Sequence, residues 1–164
     1  MHARILPLLT IALLSGAPLQ ADEAEVRDCA PDRIMIVGSD GMERASYKVS
    51  LADTPETREK GLMFVEELPR EEGMLFLFDT VGEVGFWMKN TLIPLDMLFI
   101  TPEGRVATLY EGAIPHDETT IWSGHPVSAV LEVNAGEVAR AGIRPGDWAL
   151  SPRLGTGCMP AAGG

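Results

Sequence analysis

The stretch LDMLFITPEGRVATLY, residues 95–110, decides the fold. Two apolar runs, LDMLFI and RVATLY, flank Thr101, Pro102, Glu103 and Gly104, and the glycine supplies the positive φ that such a tight reversal needs. This is a β-hairpin. Outward from it, short apolar or alternating runs recur at intervals of about ten residues, broken by Gly, Pro and Asp, the spacing of a β-sandwich or barrel. Strands are expected near 33–38, 44–51, 73–78, 83–90, 95–101, 105–111, 127–133 and 147–151. Two short helices interrupt them. The first follows Thr54 as N-cap, with Pro55 at the first helical position and Glu56 and Glu59 in the early turns, and stops near Gly61. The second is read as following an Asn134 cap, with Glu137 three residues on as in a capping box, and ends at Gly142. The fold class is therefore mainly β: a small antiparallel β-barrel or sandwich with two short α-helices. One domain is expected over residues 30–152, with a flexible Gly-rich tail over 153–164.

The whole chain has 164 residues, 46% of them hydrophobic and 23% charged, which describes one globular domain and excludes a disordered or fibrous chain. Its 13 basic residues stand against 24 acidic ones, a formal charge of −11. Nucleic-acid binding draws on clustered Lys and Arg, so DNA and RNA are excluded as partners.

Arg4 precedes an apolar run from Ile5 to Leu14, and Ser15, Gly16, Ala17, Pro18 and Ala21 lead to acidic Asp22 and Glu23. That pattern is a secretory signal peptide over 1–21, with cleavage expected after Ala21. As a helix, ten apolar residues rise only about 15 Å, too short for a permanent anchor. The mature protein is expected to be periplasmic or secreted, without a stable membrane anchor, and monomeric. Its two cysteines, Cys29 and Cys158, lie near the two ends. In an oxidising compartment a disulfide between them is the expected state. It would close a loop of about 130 residues, for which chain entropy gives on the order of 4 to 5 kcal/mol. Neither cysteine sits in a C-x-x-C pair, so a structural bridge is expected rather than a redox couple.

Four blocks carry a family resemblance: VSLADTPETREKGLM at 49–63, EEGMLFLF at 71–78, FWMKNTLIPLDMLFI at 86–100 and AVLEVNAGEVARAGIRPGD at 129–147. Together they resemble the family catalogued as domain of unknown function 192, over residues 47–150. The resemblance implies a compact, mainly β, often exported domain. It brings no established activity, substrate or catalytic residue, so function has to be read from this chain's own side chains.

The block around Trp87 is the most informative. Read as an alternating strand, it places Phe86, Met88 and Asn90 on one face and Trp87, Lys89 and Thr91 on the other, so each face begins apolar and acquires a polar group. After the turn at Pro94, Asp96 opens the apolar strand that runs on through Met97 to Ile100, and Glu132 lies inside the apolar run AVLEV ahead of Asn134. Lone charges in apolar strands are costly unless paired. Lys89 is therefore expected to meet Asp96 or Glu132, with Asn90 and Asn134 supplying hydrogen bonds. Two uses of such a cluster compete. One is a structural ion pair that specifies the fold, with the two asparagines pinning the turn and capping the second helix. The other is a pocket for a small polar or carbohydrate ligand, walled by Trp87 or Phe86. The leading functional expectation is a non-catalytic binding module for such a ligand or an envelope component, using Trp87, Lys89, Asn90, Asp96, Glu132 and Asn134. The alternatives are a cell-envelope saccharide hydrolase or lyase with Asp96 and Glu132 as acid and base, and a purely structural domain.

Other signals are weaker. His116, Asp117, Glu118 and His125 share a polar loop, but the geometry is poor for a metal, and neither metal nor cofactor is expected. Eight methionines sit singly at core positions and read as gap-fillers. Ser123, Ser128 and His125 lack the frame of a hydrolase nucleophile. Trp122 is expected exposed, and Trp87 and Trp148 are core by default.

Overall fold

The computed structural model describes residues 30–157. The expected signal peptide, Cys29 and Cys158 lie outside them, as do residues 158–164 of the expected tail. Nine strands form in chain order: β1 (Arg33–Val37), β2 (Glu43–Ala52), β3 (Glu72–Gly82), β4 (Gly85–Phe86), β5 (Leu95–Ile100), β6 (Val106–Ala113), β7 (Ile121–Trp122), β8 (Val127–Asn134) and β9 (Trp148–Leu150). Two helices, α1 (Pro55–Lys60) and α2 (Glu137–Ala141), complete the expected set, with a 3₁₀ turn at Pro152–Leu154. Seven strands make one sheet in the order β6-β5-β8-β3-β2-β1-β9, and β4 and β7 pair separately.

The sheet curls until its edges approach. Arg105 bridges Trp148, Val106 N donates to Asp147 O at 2.9 Å, and Ala149 N donates to Gly104 O at 2.7 Å, joining the start of β6 to β9. Gly104 has φ 86°, and a Cβ there would collide with Thr156 Cγ2, so the hairpin glycine serves both the turn and the closure. Residues 153–157, the described part of the expected tail, are tied down. Leu154 packs on the core, and Thr156 Oγ1 accepts from Ser151 N and donates to Ala149 O.

Alternation along the strands produces two main cores, with a small third cluster of Met35, Val37 and Leu150. Ile34, Tyr47, Val49, Leu75, Leu98, Val106, Leu131 and Ala149 fill the concave side, where α2 adds Val138 as a plug. Phe76, Met88, Leu95, Met97, Phe99 and Val130 fill the convex side, beneath the chain from α1 to Leu68 and the β4–β7 pair. Strand β5, buried at all six positions, is covered on both faces. One pairing departs from the antiparallel expectation: β2 and β3 run parallel, because the α1 segment crosses over between them.

Two local expectations are corrected. The run 83–90 is not one strand. Pairing is confined to Gly85–Phe86, after which Met88 N donates to Asp117 O and Asn90 turns left-handed at φ 55°, so strict alternation stops. Nor does Asn134 cap α2: it ends β8 opposite Leu95, and the helix starts after Gly136, at φ 88°, with no cap from its own neighbouring side chains. Glu137 closes no capping box either. It meets Arg140 and lies 3.4 Å from Arg70.

Candidate functional site

The parallel crossover creates the site. Thr54 Oγ1 accepts from Thr57 N, and Thr57 Oγ1 accepts from Thr54 N, so α1 is closed at its start by a reciprocal box. Arg58 then ties the helix to the sheet. Its Nη1 donates to Asp53 O at 2.9 Å and Leu77 O at 2.6 Å, and its guanidinium lies 5.6 Å from the Phe78 ring centre. The chain after α1 docks against the segment following β4, where Met63 bridges Thr91 and Phe64 N donates to Asn90 O at 2.9 Å.

Between these two segments lies a hollow of about 360 Å³. Phe76, Phe78 and Phe86 wall it, and Phe86 meets Phe76, Phe78 and Phe99 edge to face with ring centres 5.0, 6.4 and 6.0 Å away. Leu62, Met63 and the exposed Trp87 also line it, and Arg58, Glu59, Lys60 and Lys89 bring charge to it. An adjoining outer hollow of about 410 Å³ shares Glu59, Lys60, Met63, Trp87 and Lys89 and adds Glu56 and Asn90.

Glu132 sits at the inner end. It is 4% exposed and makes no hydrogen bond or ion pair with any described residue. Across the ladder it faces Met74 and Met97, neither of which can partner a carboxyl. Burial pushes its pKa up to about 8, so the protonated, neutral acid dominates at neutral pH. A neutral carboxyl has an O–H to donate and finds no acceptor among the described residues.

The sequence-based candidates separate into two groups. Trp87, Lys89 and Glu132 line the inner hollow, and Asn90 lines the outer one. Lys89 pairs with neither carboxylate; its Nζ lies 5.0 Å from the Trp87 ring centre. Trp87 is 46% exposed, against the core position expected by default.

Asp96 and Asn134 are structural. Asp96, fully buried, accepts from Gly112 N at 2.9 Å and from Val138 N at 3.0 Å, and so caps α2 from a neighbouring strand. Asn134 Nδ2 donates to Leu68 O at 2.8 Å, fastening the crossover. Asp96 faces the concave core and Glu132 the convex one, so the two cannot share a substrate.

Elsewhere, Ser123 Oγ accepts from Val84 N and donates to His125 O, holding the β4–β7 flap. Among the described residues no group of His, Cys, Asp and Glu is arranged to hold a metal.

Sequence reasoning missed Arg58, Lys60, Leu62, Met63, Phe76 and Phe78. Their meeting with Trp87 depends on where the crossover docks, which no local pattern encodes.

The family model for domain of unknown function 192, described as "Uncharacterized ACR", matches residues 35–149. The chain belongs to this family. Two solved structures are similar to it. One is a protein from Sinorhizobium meliloti 1021 described as a "putative transcription regulator", with 44% identity, a TM-score of 0.70, and coverage of 74% of this chain and 93% of that one. The other, from Novosphingobium aromaticivorans DSM 12444, is described as a protein of unknown function, with 41% identity, a TM-score of 0.68, and coverage of 71% and 82%. No curated protein matches the chain.

Proposed function

We propose that this member of the family is an exported module that binds a small polar ligand in the hollow between the α1 crossover and the segment following β4. One observation carries the reading. The Glu132 carboxyl is buried, has no partner among the described residues, and lines a cavity of about 360 Å³ with an aromatic wall. Leaving a buried polar group unsatisfied costs about 1 to 3 kcal/mol, a cost that a bound ligand would offset. The size falls within the range of small-molecule sites. The hydrolase reading loses its acid and base pair, because Asp96 is on the other face of the sheet and both its oxygens are taken by backbone N–H groups. The description of the S. meliloti relative does not extend here to direct DNA contact, since a chain of charge −11 offers little to phosphates.

The test is a thermal-shift screen of sugars, organic acids, amines and polyols on the mature protein, since anything that binds the native state raises its melting temperature. A hit should be lost in Trp87→Ala and Lys89→Ala while both variants stay folded. A hit that both variants retain would place the ligand elsewhere. Export rests on residues 1–21, and N-terminal sequencing of the protein from a periplasmic fraction should begin at Asp22.

A further inference from the structure

Charge is distributed unevenly on this chain. Acids outnumber bases 24 to 13, yet two of its three lysines, Lys60 and Lys89, stand at this one hollow together with Arg58. Neither lysine has a carboxylate within ion-pair distance among the described residues. Arg58 has only Asp79, at 3.7 Å and itself 89% exposed, which screens it weakly. Even counting Glu56 and Glu59, the two adjoining hollows carry more cations than ionised acids. Low-dielectric walls focus such a field toward the cavity and favour an incoming anion.

Resting on the binding-module reading above, we infer that the ligand is a small organic anion with an aromatic or similarly apolar body. Its acid group would sit at Lys60 and Lys89, its body against the phenylalanine wall, and a hydroxyl or carbonyl at its far end against Glu132. Each part of the cavity asks for one part of this molecule. The lysines offer positive charge at the mouth that no described carboxylate takes up. The wall of Phe76, Phe78 and Phe86 offers apolar area, worth about 25 cal/mol for each Å² removed from water. Glu132, at the inner end, needs an acceptor for the proton that burial keeps on it.

The titratable groups sharing the hollow with Glu132 are Arg58, Glu59 and Lys60 on the crossover and Lys89 after β4; β3 and β5 present only Met74 and Met97 beside it. An organic cation would meet an aromatic wall and a carboxyl, but it would have to pass three like charges to reach them. A neutral sugar would satisfy Glu132 and leave both lysines without an anionic partner.

The experiment measures calorimetric binding of 4-hydroxyphenylacetate, its uncharged amide and the amine tyramine to the mature protein. The acid should bind at least about tenfold more tightly than the amide or the amine, a difference of about 1.4 kcal/mol. The double variant Lys60→Ala/Lys89→Ala should bring the acid down to the level of the amide. Raising salt should weaken the acid alone. Equal or tighter binding of the amide or amine, or an acid affinity unchanged by loss of both lysines, would overturn the anion inference. So would a screen in which sugars or polyols shift the melting temperature, in a manner lost in Trp87→Ala, while none of the acids does. In that case the pocket reading stands. If no compound of any class shifts it, both readings fall together.

Discussion

Asp96 on β5 and Glu132 on β8 lie one register position apart on adjacent strands and face opposite sides of the sheet. The ladder pairs Asp96 with Val133 and Met97 with Glu132, so alternation sends one carboxyl into the concave core and the other toward the convex hollow. Their environments differ accordingly. Asp96 has an N–H on each oxygen, and Glu132 has no partner among the described residues. One acid ties α2 and the β5–β6 pair together, and the other lines the hollow.

Asp96→Asn should therefore cost stability and spare the pocket. The amide keeps one acceptor oxygen but turns an NH₂ toward a backbone donor, either Gly112 N or Val138 N. A loss of about 2 to 4 kcal/mol is expected in urea unfolding. Affinity for any pocket ligand should be unchanged under conditions where the variant is folded. A large affinity loss with intact stability would return Asp96 to the site.

Thr54→Ala tests whether the crossover holds the basic groups in place. It removes the side-chain acceptor for Thr57 N from a helix of only six residues. Loss of such a cap costs about 1 kcal/mol. Because Arg58 and Lys60 both lie on that helix, ligand affinity should fall severalfold as well. An affinity indifferent to this change would mean that the pocket does not rely on α1.

Most of the fold was legible because its strands announce themselves locally. LDMLFI, RVATLY and AVLEV combine apolar runs with sharp turn residues, and the Thr54–Pro55 start of α1 carries its own cap. The reading failed where a long-range bond overrides the local pattern. Trp87 to Asn90 look alternating, but Met88 N is bound to Asp117 O and His116 N to Met88 O, with His116 and Asn90 both at positive φ. Asn134 looks like a cap, but the β8 ladder holds its backbone and the crossover takes its side chain. The site was half legible for the same reason. A charge inside an apolar strand flags both Asp96 and Glu132 equally, and only the register separates the satisfied acid from the free one. The basic rim was invisible, since Arg58 and Lys60 read simply as the solvated side of a short helix.

If the chain is exported as proposed, Cys29 and Cys158 are expected to be joined. The described chain begins and ends on adjoining structure. Ser151 Oγ donates to Arg33 O at 2.8 Å, and Arg153 Nε donates to Pro31 O at 3.2 Å. Intact mass of periplasmic protein should be 2 Da below the reduced value, a pair of lost hydrogens. Reduction should lower the unfolding free energy by up to about 4 kcal/mol. Two free thiols in exported material would remove the bridge.

The pH dependence of stability gives the most direct check on Glu132. Its pKa stands at about 8 in the folded protein, above the ordinary value of 4.5. The native state thus holds a proton that the unfolded chain has released over that interval, and stability falls wherever the native state binds more protons. The favourable contribution is complete below about pH 4.5 and is lost as pH rises through 8. Glu132→Gln is neutral at every pH and lacks this dependence. Other carboxylates titrate alike in both proteins, so the difference between them isolates the one group. Melting temperatures should be close at pH 4.5, diverge in favour of the glutamine variant as pH rises, and keep a constant gap once pH is well above 8, by then worth several kcal/mol. Parallel curves across the whole range would mean that the carboxyl ionises freely, through solvent or a partner. The hydrogen-bond donor assigned to the inner end of the pocket would then be absent. Binding of 4-hydroxyphenylacetate should follow the same titration in the wild type, weakening as the Glu132 proton is lost and a negative charge appears beside the ligand's far end.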